Sequence, residues 1–145
     1  MIAGWLLAGL INSVCADQKQ IAFFETHVRP VFAEHCYSCH SAGAEKLKAG
    51  LYLDSRAGIE QGGESGPLLV AGDPEKSLLI RAVGYREESL EMPPRKKLPA
   101  AVIEKLTEWV RMGAPMPGEE LAALAIKTPV FDWEKFRREH WRSEE

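Results

Sequence analysis

Cysteine is scarce in this chain: there are three in 145 residues, and two of them, Cys36 and Cys39, belong to one short stretch. That excludes a scaffold stapled by disulfides. There is no second Cys-x-x-Cys pair and no His-x-x-x-His, so the sequence does not spell out the full tetrahedral ligand set of a structural zinc site. Positive charge is not in excess either. Lys and Arg number 18 against 21 Asp and Glu, for a net charge of −3, and the cations are scattered among acids. A nucleic-acid-binding surface needs the opposite balance. The apolar run from Ile2 to Ile11 is too short to span a bilayer. The glycine-rich stretch Gly62-Gly63-Glu64-Ser65-Gly66-Pro67 lacks the Gly-Lys-Ser/Thr ending of a phosphate-binding loop, and reads as a plain loop. The length allows one domain with an appendage.

What is present is concentrated at Cys36-Tyr37-Ser38-Cys39-His40. Cys-x-x-Cys-His is the attachment signature of a c-type haem. Two thiols at this spacing can add to the two vinyl groups of one porphyrin. The histidine that follows then lies beneath the ring, where its imidazole binds the iron. Zinc binding and dithiol redox chemistry are the alternatives for a Cys-x-x-Cys pair. The latter wants a βαβ setting that is not legible around residue 36.

Residues 1–16 read as an export signal, with an apolar core and Val14-Cys15-Ala16 as small residues before a cleavage point at Asp17. The usual Lys or Arg ahead of the apolar run is missing. Asn12-Ser13-Val14 makes a poor lipobox before Cys15. Export and haem support each other, because c-type haem is attached outside the cytoplasm. Cleavage after Ala16 leaves a periplasmic or secreted chain whose cysteines are both in the motif.

The rest of the chain predicts helices joined by long loops, an all-α fold. Residues 21–39 carry Ile21, Phe23, Phe24, Val28, Val31 and Phe32 at three- and four-residue spacings, with a turn and restart at Pro30 and a helix over 29–36. Leu51-Tyr52-Leu53 reads as a short extended piece, and Asp54 as the cap of a helix over 55–60 closed by Gly62-Gly63. Asp73-Pro74-Glu75 reads as a further helix start, leading to Leu78, Leu79, Ala82 and Val83. A last helix spans 99–112 with Val102, Ile103, Leu106, Trp109 and Val110 on one face, stopped by Gly113. Residues 118–145 form a tail in which Asp132 caps a helix carrying Trp133, Phe136 and Trp141. It either folds back or docks a larger partner enzyme.

The opposite face of the iron decides the chemistry. Candidates for it are Met92, Met112, Met116, His27, His35 and His140. Met92 leads, because Glu91-Met92-Pro93-Pro94 is a stiff loop that holds a weak sulfur ligand at low entropic cost. Met116, in Pro115-Met116-Pro117, is the runner-up. No acid–base pair or nucleophile cluster accompanies the motif, so the chain reads as an electron carrier rather than an enzyme. A haem enzyme or sensor with an open distal face, and a haem module serving a separate enzyme, are the competing readings.

Several ordered blocks resemble the planctomycete-type cytochrome c domain. They are Val28-Arg29-Pro30-Val31-Phe32 before the motif, Gly50-Leu51-Tyr52-Leu53-Asp54-Ser55-Arg56, Gly62 to Pro67, Gly72 to Leu79, Met92-Pro93-Pro94, and Lys97 to Val110 with Gly113-Ala114-Pro115. The resemblance implies a class I-like cytochrome c fold over residues 21–117, one haem, His40 as proximal and Met92 as distal ligand, and redox proteins as partners. In that family the module commonly precedes large domains entered through a His-Trp segment. Here His140-Trp141 is followed only by Arg142-Ser143-Glu144-Glu145.

Overall fold

The computed structural model describes residues 18–118. The export signal at 1–16 and the tail beyond Gly118 lie outside the described residues. Within them the fold is all-α: there is no strand, only an isolated bridge between Gly63 and Gly66. No helix among these residues is long and apolar enough to cross a membrane.

Helical backbone from residue 18 runs into a π-helical segment, Phe24–Val28, and on without a break into α1 (Arg29–His35). The expected turn at Pro30 is instead this wide segment. Proline has no N–H to give and its ring crowds the carbonyl a turn earlier, so the helix loosens ahead of it and restarts with Pro30 in its first turn. Helix α2 (Arg56–Gln61) is capped by Ser55, whose hydroxyl accepts the Gly58 N–H at 3.1 Å, and not by Asp54. Gly62 ends it at φ +74°. Helix α3 is Leu78–Val83. Its expected start at Asp73 is a turn, in which the Asp73 carboxylate accepts the Lys76 N–H at 3.2 Å. The fully buried Ser77 hydroxyl donates to the Asp73 carbonyl at 2.8 Å and accepts the Val70 N–H at 2.9 Å, so the helix begins one residue after it. Helix α4 (Ala100–Arg111) matches the sequence pattern closely, and Gly113 at φ +96° turns the chain away.

The core is centred on α4. Trp109 is fully buried, edge-on to Phe32 (5.9 Å between ring centres, 84° between planes) and 5.6 Å from Phe24. Its indole N–H donates to the Pro115 carbonyl at 2.8 Å, which satisfies the one polar atom it buries. Val28, Leu53, Ile59, Leu68, Leu79, Ile80, Val83, Leu98, Leu106 and Val110 complete the cluster. Helix α1 is thereby fixed against α4, and the motif at residues 36–40 emerges from a rigid end.

Candidate haem-attachment site

Cys36 follows α1 directly, with its N–H still bonded to the Phe32 carbonyl at 2.9 Å. The motif then makes one more turn: the N–H groups of Cys39 and His40 both donate to the Cys36 carbonyl, at 3.1 and 2.9 Å. The five motif residues thus share one turn.

The return segment holds that turn in place. Lys48 N–H donates to the Cys39 carbonyl at 3.0 Å, and Leu53 N–H to the His40 carbonyl at 2.8 Å. The Asp54 carboxylate accepts the Ala42 N–H at 2.8 Å, and the Ser41 hydroxyl donates to the Tyr37 carbonyl at 2.7 Å. Sequence reasoning missed Asp54 and Ser41 in this role. Local reading made Asp54 a helix cap, and its real partner is twelve residues back.

Both Cys36 and Cys39 are free thiols, half-buried, and Cys36 packs against the core. Burial pushes the Cys36 thiol up to about 11, with the neighbouring Cys39 adding to the effect. His40 is 8% exposed. Burial holds its imidazole below the usual histidine value, while the Lys48 and Leu51 carbonyls oppose the shift. Its Nδ1 is buried without a hydrogen-bond partner. The Tyr37 hydroxyl is likewise buried and unpartnered; burial raises its pKa, and the Arg29 guanidinium works against this. Arg29 itself is gripped by Glu25 in a two-pronged pair at 2.5 and 2.9 Å and lies 5.1 Å from the centre of the Phe24 ring.

These groups fit a c-type haem. Among the described residues no three His, Cys, Asp or Glu side chains converge as a metal ion requires. Two thiols and an imidazole on one turn that do not converge suit separate points on a ring better than one ion. A buried imidazole whose surroundings favour the neutral form is in the state that binds iron.

The distal candidates are spread over different elements. Met92 is 38% exposed, on the loop between α3 and α4, where its N–H donates to the Ala82 carbonyl at 3.1 Å. Met112 and Met116 are half-buried and pack on the core. Met116 also lines a shallow cleft of about 270 Å³ with Ile59, Leu68 and Leu69, and this cleft includes none of Cys36, Cys39, His40 or Met92. His27 is exposed, its ring 4.8 Å from that of Phe23, and His35 is half-buried near Glu34 at 3.9 Å. His140 lies outside the described residues.

No curated protein and no solved structure matches this chain. Residues 36–96, from the first motif cysteine past Met92, match the family model described as Planctomycete cytochrome C. Cytochrome c domains bind haem c and are typically electron carriers, in keeping with the geometry of the motif turn. By this match, the segment at residues 36–96 is similar to the planctomycete cytochrome c family.

Proposed function

We propose that this chain is an exported one-electron carrier holding a single haem c in a class I-like fold. Cys36 and Cys39 would bind the ring through thioethers, with His40 as proximal and Met92 as distal ligand. The haem iron supplies the one-electron couple when bound. The polypeptide's part is to hold, orient and shield. The turn after α1 fixes the two thiols, and the backbone bonds from Lys48 and Leu53 fix the chain on either side of His40. The observation that carries the reading is a buried imidazole and two free thiols on one anchored turn, inside the matched segment. Periplasmic or secreted placement, and redox proteins as donor and acceptor, belong to the same proposal. So does the tail as a contact for a larger partner enzyme.

One observation favours a second reading. Met92 is among the most exposed large apolar side chains described, which is unusual for a buried iron ligand. An open distal face would make the chain a haem enzyme or sensor. Electronic spectra separate the two. With Met92 bound, the oxidised protein shows a low-spin spectrum with a weak sulfur-to-iron charge-transfer band. In Met92→Ala that band vanishes and carbon monoxide binds the reduced form. Carbon monoxide binding by the unaltered protein would favour the open-face reading instead.

A further inference from the structure

Met92 is followed by Pro93 and Pro94, so neither of the next two residues has an N–H with which to tie the loop to its neighbours. The proline rings stiffen this stretch from within. Stiffness alone does not fix where the stretch lies against the rest of the fold; that takes bonds reaching in from other elements. Two such bonds hold Met92 and the residue after it. The Met92 N–H donates to the Ala82 carbonyl at 3.1 Å, and the Tyr85 hydroxyl donates to the Pro93 carbonyl. Among the described residues no other side chain is hydrogen-bonded to residues 91–98.

Tyr85 occupies its place at a conformational cost. Its backbone sits at φ +55°, a left-handed region that bulky side chains seldom adopt and where glycine rests more easily. The turn is closed by Ala82, whose carbonyl near the end of α3 accepts both the Tyr85 N–H and the Met92 N–H, each at 3.1 Å. From that turn the phenol reaches Pro93, and the Lys97 ammonium lies 5.6 Å from the centre of its ring. Strain of this kind persists where the surroundings hold it, and it points to a use for the side chain.

We infer that Tyr85 is a positioning residue for Met92, its hydroxyl holding the loop where the sulfur reaches the iron. The inference rests on the reading of Met92 as distal ligand. Pro93 adjoins Met92 in the chain, so the sulfur cannot move well away from the iron while the Pro93 carbonyl stays in place. Release of Met92 therefore breaks the bond from Tyr85. That bond adds to the hold on a weak sulfur ligand, as groups around a ligand commonly do.

The test uses the exported, haem-bearing full chain in its oxidised form, with imidazole as competitor for the iron. Loss of the sulfur-to-iron band as imidazole is added gives the concentration that displaces half of the Met92 sulfur. Two hydroxyl deletions are compared. Tyr85→Phe removes the donor to Pro93, and Thr107→Val removes a hydroxyl that donates to the Ile103 carbonyl inside α4. Tyr85→Phe should lower the half-displacing concentration about fivefold, with Thr107→Val close to the parent. Replacing Tyr85 by 4-aminophenylalanine, which keeps an N–H donor at the same place, should restore most of the difference. Unchanged imidazole affinity in Tyr85→Phe would overturn the inference even if thermal stability falls, because the bond then serves the fold alone. Equal weakening in Tyr85→Phe and Thr107→Val would overturn it too, as general loosening. A parent protein without the band overturns the reading of Met92 itself, so the two failures are told apart before any variant is made.

Discussion

The Asp54 carboxylate accepts the backbone N–H of Ala42 at 2.8 Å, joining the segment before α2 to the chain just past His40. A charge-assisted bond of this kind is worth about 1.5–3 kcal/mol where it is shielded from water, and less here, because Ala42 is exposed. Asp54→Ala should lower unfolding stability by about 1 kcal/mol, and Asp54→Asn, which keeps an acceptor oxygen, by less. Urea denaturation of the haem-bearing protein reads the difference. No loss in either variant would show that this bond does not contribute to stability.

Trp109 joins α1 to α4, fully buried against Phe24 and Phe32. Trp109→Ala should cost roughly 3–5 kcal/mol. Trp109→Phe keeps ring packing but leaves the Pro115 carbonyl without its donor, and should cost less. Thermal unfolding ranks them, and the expected order is parent, Phe, Ala.

Gly62 takes φ +74° at the end of α2, and a Cβ built on it would lie 2.5 Å from the Gly66 carbonyl oxygen. Both the left-handed backbone and the clash penalise any side chain. Gly62→Ala should destabilise by roughly 1–3 kcal/mol, whereas Gly72→Ala, also at positive φ but with open space around it, should pay only the conformational part. Parallel denaturation curves check this; a cost at Gly62 no larger than at Gly72 would rule out the clash.

Helix α4 was legible because its signals are local: an apolar stripe through Leu106, Trp109 and Val110, and a glycine at the stop. The motif was legible for the same reason, being contiguous. The errors came where side chains bond over a distance. Ser77 reads as an ordinary polar residue, yet it is buried at the knot between residues 70 and 73, which delays α3. Asp54 has the right composition for a cap, but the adjacent Ser55 takes that place while Asp54 reaches back to Ala42. The π-helical segment before Pro30 answers a steric conflict that apolar periodicity does not register.

The central claim is that Cys36 and Cys39 hold a porphyrin covalently. Mass spectrometry of the protein secreted by a host that matures cytochromes c tests it directly. The expected result is a polypeptide heavier by one haem, not removed by acidified acetone, whose Cys36 and Cys39 resist alkylation after denaturation. A bare polypeptide mass from such a host, with both thiols open to alkylation, would contradict it.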